Sequence, residues 1–485
     1  MRRTSLLAAT LLLAGLALYA LTVLEGARAG VSVARVTLGP APAVVMRPAG
    51  EPEGLVVIGH GFAGSHAFMQ AIGLTLARAG RTVVAFDFPG HGRNAEPLSA
   101  DVTREEGTTR QLVEQSLAVI DAAQALTGAE TVDLLGHSMA TDVLIRAAAE
   151  RRDVDAVVAV SMYSEAVTPT APARLLILSG AWEPRLRAVA LDAVRQLDPR
   201  AEEGDTVVAG NTARRAVAAP GVEHVGVLYD PVTLTEAAAW IAPGKTVDAV
   251  RIGPAVLMLL AALLALYWPL SRLLPARAPA PLRLTARHFV LILAAPALPA
   301  FAAATLVGER LPGALGFGRL AVFAAVWGGV QLFLLWRAGW RPARPGLWGI
   351  ALLLVWGLGA VAPALDRYVS SFLPMGPRFA LMLMLGLGTL PLMLAAAWLT
   401  YGQKIWRRVL ARLVLLATLA TAMLVDPFGF GLLFTVLPVG VLFILVYGLM
   451  GRWTAQRMGP ETAGLALGVA LAFAVASSQP LFAGG

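Results

Sequence analysis

Residues 131–150, TVDLLGHSMATDVLIRAAAE, carry two periodicities side by side. Val132, Leu134 and Leu135 form a short apolar run of strand type, and Val143, Leu144, Ala147 and Ala148 recur at the spacing of one helix face. Ser138 therefore falls where a strand turns into a helix. A serine there is either an N-cap, accepting a hydrogen bond from the first helical turn, or a nucleophile displayed on a sharp bend. Gly136-His137-Ser138-Met139-Ala140 fits the G-x-S-x-G pattern except that alanine replaces the last glycine. Such a bend brings backbones close and needs small neighbours, and alanine adds only a methyl group.

The surrounding sequence repeats the alternation. GLVVIGHGF precedes a helical stretch near 67–79, RTVVAFDFPGHG precedes one near 109–126, and TVDLLGHSMA precedes one reaching Arg151. VDAVVAVSMYS and RLLILSGAWE follow, then a helical stretch near 186–197, ARRAVAAPGVEH, and a last helical stretch near 230–241. This alternation predicts a mostly parallel sheet covered on both faces, with ligand-binding groups along the edge where the strands end. A serine hydroxyl needs a base to take its proton, and the base needs an acid to fix its tautomer. Downstream of Ser138, Glu183 follows the run LLILSG and His224 follows the next, in the order serine, acid, histidine.

Residues of roughly 36–245 thus resemble the α/β-hydrolase superfamily. GHGFAGS from Gly59 resembles its oxyanion loop, DFPGHGRN from Asp87 its glycine-rich turn, and GVEHVGVLY its histidine loop. The resemblance covers just under half the chain. It implies Ser138 as nucleophile, Glu183 as acid and His224 as base, with the main-chain N–H groups of Phe62 and Met139 as the oxyanion hole. Glu165, after the strand-like run ending at Tyr163, is the alternative acid. Only about a dozen residues separate Tyr163 from Leu175, where many relatives insert a helical lid, so little or no lid is expected. His60, His91 and His137 each follow a glycine and read as structural hydrogen-bonding residues, whereas His66 and His288 read as isolated. No His-x-x-x-His or carboxylate array signals a metal, and no cofactor is implied.

The rest of the chain has another composition. The 57% hydrophobic content and 14% charge exceed what a soluble globule needs. Residues 26–250 hold 19 basic and 26 acidic residues, residues 251–485 hold 18 and 4, and the two regions therefore face different solvents. The net charge of +8 arises from the second region, without interleaved base-stacking aromatics, and gives no argument for nucleic-acid binding. With no cysteine, disulfides, thiolate catalysis and cysteine-ligated metal centres are excluded. Arg2 and Arg3 precede an apolar run over 6–24, long enough to cross a bilayer, and residues 1–30 read as a signal anchor, with ARAG at 27–30 as a possible cleavage site. Eight further spans are expected near 254–271, 288–308, 319–336, 347–365, 379–400, 409–425, 430–450 and 463–482. Arginine and lysine cluster in alternate loops, around 272–287, 337–344, 404–412 and 452–457. The positive-inside rule then places residues 31–250 and the carboxyl terminus outside a bacterial-type plasma membrane, with 251–485 as the membrane domain.

The fold class expected is an α/β-hydrolase domain joined to an all-α multi-span domain. The function expected is a membrane-tethered serine hydrolase that cleaves an ester, of a lipid or other amphiphile, through an acyl-enzyme. The alternative is a non-catalytic binding or assembly ectodomain of a membrane complex or lipid transporter. Transport is disfavoured because the spans carry no clear mid-membrane carboxylate or lysine. The expected partners are the substrate and the lipid bilayer; the sequence leaves the oligomeric state open.

Overall fold

The computed structural model describes residues 3–99, 101, 105–311, 317–431 and 433–483; Arg2, one of the two arginines expected to flank the first span, lies outside the described residues. The chain divides into two compact units. One comprises Tyr19–Met258 with the short segment Asp366–Ser371, and the other comprises Met1–Leu18, Leu259–Leu365 and Phe372–Gly485.

The first unit is built on one nine-stranded sheet. Its strands are β1 (Val31–Leu38), β2 (Ala41–Pro48), β3 (Leu55–Gly59), β4 (Thr82–Phe86), β5 (Val132–His137), β6 (Val154–Val160), β7 (Arg174–Gly180), β8 (Thr206–Ala209) and β9 (Thr212–Ala219). They lie in the order β1-β2-β4-β3-β5-β6-β7-β9-β8. The six from β4 to β9 across the middle of that order run parallel. The hairpin β1-β2 and the edge strand β8 are antiparallel additions. Every residue of β3, β4 and β5 is buried, which is why these strands read as continuous apolar runs: a sheet covered on both faces has no wet side.

Helices α2 (Gln70–Arg78), α3 (Arg110–Thr127), α4 (Met139–Ala149), α5 (Pro184–Arg195) and α6 (Pro231–Ile241) supply that cover, after α1 (Arg3–Gly26) at the amino-terminal end. They correspond closely to the stretches expected from the sequence. The sequence reading omitted β1 and β2, although VSVARVTL and APAVVMRP flank a Gly39-Pro40 turn, and Gly39 takes the positive φ of 54° that such a tight turn asks of glycine. From β3 the chain crosses outward to β4 and then returns to β5 on the other side of β3. The strand order therefore reverses between β3 and β5, the place at which open sheets of this kind bind ligands beyond the carboxyl ends of their strands.

Nine helices among the described residues are long and apolar enough to cross a membrane. They span Thr4–Gly26, Gly253–Ser271, Ala286–Arg310, Gly318–Arg337, Leu347–Tyr368, Pro377–Thr400, Ile405–Val425, Leu433–Met458 and Pro460–Ser478. Each overlaps one of the nine runs expected from the sequence. Within the helical unit, small residues let backbones touch. A Cβ on Gly464 would stand 2.6 Å from the Leu394 Cα, and one on Gly468 would stand 2.7 Å from the Leu390 Cα. That is small-xxx-small helix packing, which the sequence reading did not single out in GLALG.

Candidate active site

Ser138 sits at the β5–α4 junction with φ 52° and ψ −117°, a conformation that L residues rarely adopt. Its side chain makes no capping hydrogen bond, so the N-cap reading does not describe it. The bend is tolerated because its neighbours are small. A Cβ on Gly136 would meet the Ala140 carbonyl oxygen at 2.6 Å. The alanine that departs from the G-x-S-x-G pattern is accommodated from across the sheet: its methyl lies where a Cβ on Gly59 would come within 2.9 Å. Gly59 makes the room that a glycine at the fifth position of the motif would otherwise provide.

Ser138, His224 and Glu183 come together. The His224 Nε2 lies 2.8 Å from the Ser138 Oγ, and the His224 Nδ1 lies 2.6 Å from the Glu183 Oε1. A carboxylate only accepts, so Nδ1 carries the hydrogen and Nε2 is left to accept from the serine hydroxyl. The second carboxylate oxygen, Oε2, accepts from the Gly180 N–H at 2.6 Å and from the Ser161 hydroxyl at 2.7 Å. Burial works against the charge of Glu183, but His224, the Gly180 N–H and Ser161 together outweigh it and hold the carboxyl below its ordinary value of 4.5. Glu165 is not brought to the site: it is exposed and makes no hydrogen bond to any described residue.

Ser161 is the member of this cluster that sequence reading missed. It follows β6 directly, is buried and has a φ of 53°. Its own N–H donates to the Leu178 carbonyl at 2.6 Å. The signal for it was the small polar residue ending VDAVVAVS, a place where a buried hydroxyl needs a partner.

Phe62 and Met139 flank the serine. A Cβ on Gly61 would stand 3.1 Å from the Ser138 Cβ, so the loop carrying Phe62 runs directly beside the hydroxyl. Met139 opens α4, where a backbone N–H has no acceptor within the helix. The histidines nearby hold backbone. His60 donates from Nδ1 to the Gly61 carbonyl at 2.8 Å and accepts the Phe88 N–H at Nε2, which fixes its tautomer; burial, the largest influence, lowers its pKa. His91 donates from Nδ1 to the Pro89 carbonyl at 2.8 Å.

His137 donates from Nε2 to the His224 carbonyl at 2.9 Å and so tethers the loop that carries the site histidine. Burial first, then the neighbouring His224, pushes its imidazole down to about 4, leaving it neutral at pH 7. His66 is not isolated, contrary to the sequence expectation. Its Nδ1 and its backbone N–H both bond to the Asp87 carboxylate, which sequence reading had placed only in a turn. Among the described residues no group of three or more histidine, cysteine, aspartate or glutamate side chains is placed to hold a metal ion.

Between β6 and β7, residues 161–173 contain no helix, only turns and an isolated bridge between Thr168 and Ala171. Tyr163 and Trp182, each one or two residues from a site residue, are 61% and 68% exposed.

Residues 54–191 match the model of the alpha/beta hydrolase fold. Among solved structures the chain resembles TT1662 from Thermus thermophilus, with 22% identity over 44% of this chain and 96% of that one and a TM-score of 0.33. A dienelactone hydrolase from Anabaena variabilis shows 20% identity over 44% of this chain and 96% of its own, also with a TM-score of 0.33. A bacterial membrane phospholipase A shows 17% identity over 50% and 98%, with a TM-score of 0.34. Likenesses of this degree carry nothing about substrate. No curated protein matches the chain.

Proposed function

From an α/β-hydrolase fold that carries a serine on its sharpest turn, we propose that the protein is a membrane-tethered serine hydrolase acting on ester bonds. One observation carries the reading: a hydrogen-bonded relay runs from the Ser138 hydroxyl through His224 to Glu183, at 2.8 Å and 2.6 Å, on a serine with φ 52°. Folding alone has no use for that strained backbone beside an oriented imidazole.

In the proposed reaction the Ser138 oxygen attacks the ester carbonyl as its proton passes to the His224 Nε2. The Phe62 and Met139 N–H groups receive the oxyanion, the second aided by the start of α4. Collapse of the adduct breaks the bond to the alcohol oxygen, which leaves with the proton from Nε2, and Ser138 stays acylated. Water gives a proton to the same nitrogen and attacks the acyl carbonyl; the acid departs and the serine regains its hydrogen. Glu183 remains a carboxylate throughout and stabilises the imidazolium.

An amphiphilic ester is the substrate class we favour. No helix over 161–173 covers the half-buried serine, and Tyr163 and Trp182 offer exposed aromatic surface of the kind that sits at a membrane–water boundary. We take residues 1–30 as the anchor, 31–250 as the catalytic domain on the outer face and 251–485 as the membrane domain, on the distribution of arginine among the loops.

An active-serine phosphonate probe tests the assignment in membranes containing the full chain. Labelling that disappears in Ser138→Ala supports it. Folded wild-type protein that takes no label makes the enzyme reading untenable.

A further inference from the structure

A polar cavity whose lining includes no residue of the Ser138 relay lies in the α/β unit, with a volume of about 240 Å³. Its polar lining is Arg28, Arg35, Arg367, Asp366, His66 and Gln70. Three guanidinium groups in one small cavity need anions, and the anions present do not match them. Asp366 accepts from the Arg93 Nη2 at 2.6 Å and lies 3.9 Å from the Arg35 Nη2. Glu25 takes the Arg367 Nε at 2.7 Å and Nη2 at 2.6 Å, together with the Tyr368 hydroxyl. Asp87, buried, is occupied by His66 and by the Arg93 N–H. Counting Arg28, Arg35, Arg93 and Arg367 against Glu25, Asp366 and Asp87, four minus three, leaves one cation over even with His66 neutral.

The surplus falls on Arg28. It makes no ion pair with any described residue; its Nη2 donates to the Gln70 Oε1 at 2.6 Å, a neutral acceptor. Burial first, and then the like charge of Arg367, hold its guanidinium below the usual arginine value. Two buried donors beside each other, the Arg28 Nε and the Gln70 Nε2, have no hydrogen-bond partner among the described residues. Unsatisfied buried donors in native structures are uncommon and costly, and two of them converging on an arginine-rich cavity describe an acceptor site.

We propose that this cavity binds a phosphate group, that of a phospholipid headgroup. Phosphate supplies several acceptor oxygens and negative charge, which suits the Arg28 Nε, the Gln70 Nε2 and the Arg35 fork together. The volume is below the roughly 300–1,000 Å³ of sites that engulf a drug-sized ligand, so it takes a headgroup and leaves the acyl chains outside. Val33, Val44, Met46, Ala67 and Leu74 complete the lining and give the glycerol backbone an apolar wall. The depth is also right for a lipid phosphate: Arg28 follows the apolar helix Thr4–Gly26 by two residues, and Arg367 lies in the last turn of the apolar helix Leu347–Tyr368. Arginine at the end of a span stands at headgroup level. This inference does not depend on the hydrolase reading.

The test uses the full-length Ser138→Ala protein in dodecyl maltoside, titrated separately with dihexanoyl phosphatidic acid, inorganic phosphate and laurate, with binding read by calorimetry. Saturable binding of the phosphatidic acid is expected, weakened about tenfold or more by Arg28→Ala, because a charge-assisted donor is lost. Arg35→Ala removes a side chain that is 59% exposed and is expected to weaken binding severalfold with the fold intact, which guards against misreading an unfolded Arg28 variant. Binding by the lipid and not by inorganic phosphate assigns the headgroup; equal binding of both assigns free phosphate to the same cavity. Absence of binding by either phosphate probe, binding of laurate alone, or affinities unchanged in both arginine variants would overturn the proposal.

Discussion

In the α/β unit most of the large apolar side chains are inside, and in the helical unit many of them are outside. Strands β3 and β4 are buried throughout, whereas Leu387 in the middle of the Pro377–Thr400 helix is 75% exposed. Both units also bury polar residues: Thr454 and Thr462 of the helical unit are fully buried, and the Thr454 hydroxyl hydrogen-bonds the Tyr267 hydroxyl at 2.7 Å. One rule, placing apolar surface away from water, accounts for both patterns when the nine apolar helices are set in lipid. In lipid, leucine on the outside costs nothing and close contact between helices comes from glycine. In water, burying leucine is the main source of stability and the polar groups that remain inside carry chemistry or hold backbone.

The proposed chemistry belongs to the α/β unit, and the sharpest test of that side of the comparison is at the relay. On a chromogenic ester, Ser138→Ala is expected to lower kcat about 10⁶-fold and Glu183→Gln about 10⁴-fold, while Glu165→Gln leaves the rate unchanged. A Glu165→Gln variant as damaged as Glu183→Gln would show that the acid has been misassigned. A matched pair of substitutions tests the solvent difference itself. Leu387→Arg places a charge on the exposed face of a span and is expected to cost about 2.5–3.5 kcal/mol, seen as loss of folded yield, whereas Leu126→Arg at an exposed position of α3 changes stability by less than about 0.5 kcal/mol. Equal effects would remove the reason for assigning the two surfaces to different solvents.

His137 gives a pH-dependent test within the α/β unit. Its folded pKa of about 4 is below the 6.5 of the unfolded chain, so the unfolded state takes up a proton first as pH falls. The stability it contributes is present above pH 6.5 and is lost on acidification toward pH 4, by roughly 3 kcal/mol in order of magnitude. Thermal unfolding of wild type should therefore show a steeper decline from pH 7 to 4.5 than that of His137→Gln; parallel profiles would contradict the assignment. The smallest effect is expected at Ser161. Ser161→Ala removes one of two donors to the Glu183 Oε2 and should lower kcat about tenfold with KM little changed, as suits a positioning residue.

Much of this architecture was legible because period and composition act locally. The parallel strands were visible as continuous apolar runs, the spans as long uncharged ones, and Ser138 as the small-residue turn between a strand and a helix. Glu183 and Glu165 each follow a strand-like run; the spacing after Gly180 and a strand directly before that of His224 favour Glu183 in the sequence, with Glu165 as the alternative. The structure separates them by what surrounds each carboxylate, with the Gly180 N–H and Ser161 converging on Glu183 and nothing described converging on Glu165. The β1-β2 hairpin escaped notice because its pattern is weak beside the buried strands, and Asp87 because its partner His66 stands 21 residues before it.

The sequence by itself determined that one region of the chain turns its apolar residues inward and the other outward, and which serine stands on a sharp turn. Those are properties of neighbours along the backbone. Only the tertiary structure gives the 2.6 Å contact between His224 and Glu183 and brings Arg28, Arg35 and Arg367 around one cavity. Such convergence is set by distances through space between residues far apart in the chain, and an electrostatic surplus exists only once those distances are fixed.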